Sequence, residues 1–269
     1  MTSTKSLTAR IAAVVSVAAS MTLLVGPGVV TTASAQPMSA VSAGWGASRT
    51  PWSIAAPRAV RTAAPLAATS AAVAGDFSSI FADQLPELAN SGWSACAAPI
   101  TWSVDTRGLT EAKASAEIAN IQWAFDQWAS ASGLTFQFSG AAVLTYNDAA
   151  FTVTPADGSA TSSRHIYLAF IADQDSARLG GGTVGLGSPG LVMPDSKEIT
   201  GGAAVFRTDF VTTAMPTAAK SLYLHELGHV LGLAHANESA NVMYPVVTDH
   251  VELGIGDITG VRTMTKACA

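Results

Sequence analysis

The chain has 269 residues, of which 49% are hydrophobic and 12% charged, so it can bury a sizeable core and is not a mainly disordered protein. The part from Asp76 onward holds all 19 acidic residues but only nine of the 14 basic ones. Because an acidic surface repels phosphate backbones, this charge distribution argues against a nucleic-acid partner.

Residues 1–35 have the features of an export signal. Lys5 and Arg10 form a positively charged region before an apolar stretch over 11–25. The small residues at 33–35 (Ala-Ser-Ala) form a cleavage site. A membrane anchor is the alternative, but 15 residues at about 1.5 Å each are shorter than a hydrocarbon core of about 30 Å. The sequence therefore predicts a secreted, extracellular protein without membrane association once the signal is removed.

Residues 36–91 are predicted to be a linker or propeptide. Up to about residue 75 they consist mainly of Ala, Ser, Thr, Pro and Gly, and they lack the periodic large apolar residues of a packed element. The alternative is an extended arm that packs Trp45 and Trp52 on the folded part. The folded domain is expected to begin near Gly92 and to span 92–269.

The first half of this domain is predicted to contain a strand, a helix and two further strands. Apolar and polar residues alternate over Ile100–Asp105, which predicts a half-buried strand. Thr110 can cap a helix that Gly133 ends, because the apolar residues between them recur at three- and four-residue steps. β-branched and aromatic residues then favour strands over 134–138 and His165–Ile171.

The second half contains a glycine-rich segment, a strand and two helices. The segment 179–190, LGGGTVGLGSPG, lacks the spacing of a phosphate loop and is interpreted as a loop and an open strand that another backbone can approach closely. A strand over 201–208 precedes a helix that starts at Pro216 and runs to Gly232. Asp257 is predicted to cap a short C-terminal helix.

The second helix carries a candidate metal site. His225 and His229 are four residues apart, so both imidazoles leave the same face of the helix and can bind one cation. Glu226 projects at its own angle, so it need not bind the ion and can hold a metal-bound water as a general base.

A third nitrogen ligand follows the helix. Gly232 allows the chain to turn through a left-handed conformation, which brings His235 back toward the first two histidines. Three imidazoles leave a position open to water, as in catalytic zinc sites, and nitrogen ligands favour zinc over calcium. His165 and His250 stand apart and are interpreted as ordinary partly buried or surface histidines.

The two cysteines, Cys96 and Cys268, are predicted to form a disulfide. An isolated even pair in an oxidising compartment is more often bridged than free. The bridge would join the start of the folded region to the last residues of the chain.

The segments 225–235, HELGHVLGLAH, and 241–245, NVMYP, together resemble the metzincin metallopeptidases. The eight-residue step from His235 to Met243 and the Met-Tyr-Pro sequence are similar to the matrixin branch, the matrix-metalloproteinase-like enzymes. Weaker similarity covers residues 99–266. The resemblance implies an α+β domain with a twisted mixed sheet, an active-site helix and a C-terminal helix.

By this resemblance, His225, His229 and His235 bind zinc, Glu226 is the base and Met243 forms an apolar floor beneath the ion. The chain departs from vertebrate matrixins because it has too few histidines for a second, structural zinc. It also lacks the Pro-Arg-Cys-Gly context of their inhibitory cysteine, although Cys96 binding the zinc as a thiolate is an alternative to the disulfide. Acidic residues near the glycine-rich loop are a candidate Ca²⁺ site, with simple solvation as the alternative: Asp173, Asp175, Asp195 and Glu198.

The resulting hypothesis is a secreted, monomeric zinc metalloendopeptidase that hydrolyses peptide bonds with a zinc-bound water activated by Glu226. Its partner is a protein or peptide substrate lying along the strand at 182–188. Two alternatives stay open, namely a secreted zinc-binding protein of the same fold without significant turnover and an amidase acting on cell-wall peptides.

Overall fold

The computed structural model describes residues 75–83, 85–193 and 195–267, together with the main chain of residues 13–14 and 52–55. The rest of the predicted signal segment lies outside the described residues. Within the described residues, no helix is both long enough and apolar enough to cross a membrane.

The described elements comprise nine strands and four α-helices, and three of the helices follow the last strand. The strands are β1 (Ala13–Val14), β2 (Trp52–Ala55), β3 (Ile100–Asp105), β4 (Phe136–Ala141), β5 (Leu144–Asn147), β6 (Thr152–Pro155), β7 (His165–Ile171), β8 (Thr183–Met193) and β9 (Glu198–Arg207). The helices are α1 (Glu111–Ser132), α2 (Thr208–Thr213), α3 (Pro216–Val230) and α4 (Ile255–Met264), with 3₁₀ turns at Pro86–Leu88 and Asp173–Asp175.

Five of these strands form a twisted mixed sheet in the order β8-β9-β7-β3-β4. β9, β7, β3 and β4 run parallel to one another, whereas β8 is antiparallel to β9. The short strands β1 and β2 both pair antiparallel with the other side of β8. The predicted α+β architecture is confirmed, with a twisted mixed sheet, the histidine-bearing helix α3 and the C-terminal helix α4.

The main core lies between one face of the sheet and helices α1 and α3. Trp102 of β3 lies 5.0 Å from Phe125 of α1, measured between ring centroids, and both side chains are fully buried. Trp128, one turn further along α1, donates its indole N–H to the carbonyl oxygen of Leu224 in α3 at 3.0 Å. Burying one such aromatic side chain contributes about 1.5–3 kcal/mol, so this face of α1 holds α3 firmly against the sheet.

The opposite face of the sheet is covered by a hairpin of β5 and β6, which the sequence analysis did not predict. Ser103 and Asp105 of β3 are consequently buried as well, so the prediction of a half-buried strand is wrong. The Asp105 carboxylate accepts hydrogen bonds from Arg107 and from the main-chain N–H of Leu144, which compensates its burial.

The predicted helix ends are correct for α1 and wrong for α4. The Thr110 hydroxyl accepts the N–H of Lys113 at 3.4 Å, and Gly133 ends α1 with a φ of 76°. Helix α4 begins one turn earlier than predicted, after Gly254. Asp257 therefore lies in the first turn, where its carboxylate accepts the N–H of Gly254 at 2.7 Å.

Within the continuous described stretch from residue 75 onward, buried residues begin at Asp76, before the expected domain boundary near Gly92. Ile80 and Phe81 are 1% and 0% exposed and belong to the main core. The stretch can bury apolar surface because it carries the large apolar side chains of Phe77, Ile80 and Phe81. Removal of residues 36–91 as a propeptide stays a prediction.

The two ends of the domain are hydrogen bonded to each other. The N–H of Lys266 donates to the carbonyl oxygen of Trp93 at 2.9 Å, and the N–H of Ala95 donates to that of Lys266 at 3.0 Å. Cys268 lies outside the described residues, so its disulfide with Cys96 stays a prediction.

Candidate metal centre

Helix α3 is buried along most of its length and presents two histidines and a glutamate. Its first residue is Pro216, as predicted, where the missing N–H costs no helical hydrogen bond. His225, Glu226 and His229 are at most 1% exposed. Helical spacing places the two histidines on one face, one turn apart.

The third histidine is brought back by the turn that follows α3. Gly232 has a φ of 104°, the left-handed region that favours glycine, and the N–H of Leu233 returns to the carbonyl oxygen of Gly228 at 3.0 Å. One ring nitrogen from each of His225, His229 and His235 lies within 4.8 Å of the other two. The three ring centroids are 4.6 to 5.1 Å apart.

Main-chain carbonyls orient the two helical imidazoles. Nδ1 of His225 lies 2.7 Å from the carbonyl oxygen of Val242, and Nδ1 of His229 lies 2.8 Å from that of Leu233. Because a carbonyl only accepts, each Nδ1 carries the proton, and each Nε2 keeps the lone pair that binds a metal.

Electrostatics also keep these two histidines neutral. Burial, together with the neighbouring His235, lowers the pKa of His225 well below its ordinary value. Burial and the two other imidazoles lower the pKa of His229 in the same direction. Neutral imidazole is the form that coordinates a metal ion.

The side chain of Glu226 lies on the side of α3 that faces strand β8. A β-carbon on Gly185 would lie 2.6 Å from Oε1 of Glu226, and one on Gly187 would overlap its main-chain carbonyl. The glycine-rich strand therefore lets β8 approach the helix closely, as its composition predicted. Burial raises the pKa of the Glu226 carboxyl well above its ordinary value.

Met243 packs beneath α3 at Gly228, between His225 and His229. A β-carbon on Gly228 would overlap Sδ of Met243, so the thioether packs directly on the α3 backbone between His225 and His229. The carbonyl oxygen of Met243 accepts the N–H of Ala236, the residue after His235. The role of Met243 as an apolar floor beneath a bound ion stays a prediction.

Asp257 holds the segment 241–245, which contains Met243 and is called the methionine loop below. The sequence predicted Asp257 only as a helix cap and missed this role. Its carboxylate accepts the N–H groups of Val242 at 2.7 Å and of Met243 at 3.2 Å. Burial raises the pKa of Asp257 to about 6, although these hydrogen bonds oppose the shift. The same aspartate thus joins the start of α4 to the loop that orients His225.

The donor atoms fit a zinc ion. Nε2 of His225 and both carboxylate oxygens of Glu226 are buried and have no hydrogen-bond partner among the described residues. Buried polar atoms are nearly always satisfied, so these atoms indicate a group that completes the site. Three converging imidazole nitrogens with a nearby carboxylate match a catalytic zinc site.

The other sequence candidates lie elsewhere. His165 is buried on β7 and bonds Thr101 at 2.7 Å and Ser103 at 2.9 Å. Across the described residues, His225, His229 and His235 form the group that could hold a metal ion, and the four acids near the glycine-rich loop do not form a second one. The carboxylate of Glu198 is paired with Arg164, and calcium binding stays a prediction.

A mixed sheet, a helix bearing two of three converging histidines and a methionine beneath them define a metzincin type of zinc-peptidase domain. The family model of the matrixins, peptidase family M10, matches residues 92–265, and the chain belongs to this family. Matrixins are zinc-dependent metallopeptidases that act on proteins or peptides. No curated protein matches the chain.

Proposed function

We propose that this matrixin is an active, secreted zinc endopeptidase in which His225, His229 and His235 bind zinc and Glu226 is the general base. The observation that carries the proposal is the convergence of three ring nitrogens within 4.8 Å beside the buried carboxylate of Glu226. A closed structural zinc site does not need a carboxylate at this position.

Bound zinc would supply a Lewis acid that polarises the scissile carbonyl and acidifies water. Glu226 accepts a proton from the attacking water and passes it to the leaving amine. Met243 supports the two helical histidines by packing and takes no part in proton transfer.

Strand β8 is the edge along which a substrate would lie. The N-terminal strand β2 pairs antiparallel with β8, with Ser53 opposite Leu186 and Ile54 opposite Gly185. Gly185 is also a residue at which a β-carbon would lie 2.6 Å from Oε1 of Glu226. An extended segment of the chain itself therefore lies beside the general base by main-chain pairing, as an extended peptide would.

This pairing supports the propeptide interpretation of the N-terminal region. An edge occupied by β2 cannot pair with a substrate strand, so β2 must leave before an extended substrate is bound. We assign residues 1–35 to a signal and the stretch that contains β2 to a propeptide, and we expect the secreted protein to be a monomer.

The test uses the protein recovered from the culture medium, incubated with casein and separately with a cell-wall peptide. Wild type should produce internal cuts in casein that a chelator abolishes and added zinc restores. Glu226→Gln should bind zinc equally and lose about 10²–10⁴-fold in rate, the usual contribution of a general base. The matched control is Glu198→Gln, since Glu198 is paired with Arg164 away from the histidines.

Three results would contradict the proposal. Near wild-type cleavage by Glu226→Gln would refute the assigned base. Zinc binding by wild type with casein and wall peptide both left intact would indicate a binding protein without turnover. Cleavage of the wall peptide alone would indicate the amidase.

A further inference from the structure

The chain from Asp76 to Ile80 lies beside the segment that carries His235. Ser79 and Leu233 form an antiparallel bridge. The N–H of Ala234 donates to the carbonyl oxygen of Ser78 at 2.8 Å, and the N–H of Ile80 donates to that of Gly232 at 2.8 Å. The residue immediately before His235 is therefore held by this N-terminal segment.

The side chain of Asp76 holds the residues immediately after His235. Its carboxylate accepts the N–H of Asn237 at 2.9 Å and of Glu238 at 2.8 Å. It also accepts the side-chain amides of Asn237 at 3.0 Å and Asn241 at 2.8 Å. Four donors converge on one carboxylate, and charge-assisted bonds of this kind are about twice as strong as neutral ones.

Asp76 is fixed in turn by the C-terminal helix. A β-carbon on Gly256 would lie 2.5 Å from the carbonyl oxygen of Asp76, and one on Gly260 would lie 2.9 Å from Cβ of Phe77. The Asn241 side chain, which donates to Asp76, also accepts the N–H of Gly256 at 3.0 Å. The N-terminal segment is thus packed between α4 and the loop that bears the third histidine.

We propose that Asp76 is a positioning residue that holds His235 in place for zinc, and that the active protein therefore retains the chain from Asp76 onward. This inference rests on the proposed function. The family match begins at residue 92, so nothing in that match assigns a role to Asp76. A propeptide would accordingly end before Asp76, and trimming to Gly92 would remove both the carboxylate and the buried Ile80 and Phe81.

The test compares zinc affinity in full-length wild type, Asp76→Asn and Asp105→Asn by competition with a chromophoric chelator, well below each melting temperature. Asp105 is the matched control because its carboxylate is also buried and hydrogen bonded, but to Arg107 and Leu144 on the other face of the sheet. Asp76→Asn should weaken zinc binding about 10–100-fold, the usual effect of losing a group that orients a ligand. Asp105→Asn should lower the melting temperature and leave zinc affinity within about twofold of wild type.

The outcomes separate this inference from the proposed function. Equal zinc affinity in wild type and Asp76→Asn would overturn the positioning role while leaving the peptidase proposal intact. Wild type that binds no zinc would overturn both. The N-terminus of the active protein from the medium, read by mass spectrometry, should lie at or before Asp76, and a fully active form that begins after Asp76 would contradict the inference.

Discussion

Three glycines at the metal centre stand where a β-carbon would meet a neighbouring atom. Gly185 and Gly187 bring β8 against Glu226, and Gly228 admits Met243 beneath the histidines. What matters at these positions is the absence of a side chain, since none of the three glycines has a positive φ. Substitution at these positions therefore tests packing rather than backbone strain.

Gly228→Ala should lower the stability of the protein. The added methyl group would overlap Sδ of Met243 and lie 3.0 Å from the Trp128 ring, an overpacking that costs about 1–3 kcal/mol. The measurement is the free energy of unfolding in denaturant. Gly180→Ala is the control, because its β-carbon would meet the nearest neighbouring atom at an ordinary 3.5 Å. Equal stability of the two variants would show that Met243 moves aside without cost.

Among the elements, α3 depends on a buried polar link to α1. The Tyr223 hydroxyl donates to Oε2 of Glu117 at 2.7 Å, and both residues are at most 1% exposed. Lys113 and Asn120 complete the environment of the carboxylate at 2.6 and 3.0 Å. This link fixes α3 two residues before its first histidine.

Tyr223→Phe should destabilise the fold by about 1.5–3 kcal/mol, because it removes a hydrogen bond to a buried carboxylate. Thermal unfolding followed by circular dichroism measures the loss. Gln122→Ala is the control: it removes an exposed i,i+4 hydrogen bond to Asp126 and should change stability by no more than about 0.5 kcal/mol. A Tyr223→Phe variant as stable as wild type would show that the hydrogen bond to Glu117 does not stabilise the fold.

The elements that the sequence predicted well are those with local signals. The spacing of apolar residues and the Thr110 and Gly133 ends defined α1, and Pro216 with the helix formers that follow it defined the start of α3. The β5–β6 hairpin was missed because its polar strands are short and are stabilised by the sheet beneath them. Register and long-range pairing depend on residues distant in sequence, which periodicity does not encode.

The residues of the candidate site show the same difference between local signals and long-range contacts. The three histidines and Glu226 were identified from the sequence because their spacing within 11 residues is local. Asp76 escaped detection because its partners lie 161 to 165 residues away. The role of Asp257 was misassigned for a similar reason: its contacts to the methionine loop depend on how α4 packs.

At the scale of the whole molecule, the N-terminal strand β2 pairs with the edge of β8 along which the proposed function places a substrate. Ser53 and Ile54 are consecutive, so the N–H of one points toward β8 and that of the other points away. Proline at the inward position removes a hydrogen bond of the pairing, whereas proline at the outward position does not.

One of the two variants Ser53→Pro and Ile54→Pro should therefore cleave a short fluorogenic peptide several-fold faster than intact wild type, and the other serves as its control. Initial rates are measured on chains whose full length is verified by mass. The prediction fails if intact wild type is already as active as both variants, because β2 would then leave the edge accessible.

The second whole-molecule prediction is the disulfide between Cys96 and Cys268. Ser94 and Lys266 form a parallel bridge, and each cysteine lies two residues further along its chain. Alkylation with and without reductant should show no free thiol before reduction and two after it. Cys268→Ser should lower stability by up to about 5 kcal/mol, the chain-entropy figure for a loop of this length. Two free thiols in the secreted protein would refute the bridge.

The most direct test of the metal centre is the zinc content of the purified full-length chain after dialysis. It is measured for wild type, His235→Ala and His165→Ala. His165→Ala is the control because that imidazole bonds Thr101 and Ser103 outside the triad. We predict one zinc per chain in wild type and in His165→Ala, and a loss of most of the metal in His235→Ala. A wild-type chain that binds no zinc, or a His235→Ala variant that binds as much as wild type, would contradict the assignment of the metal centre.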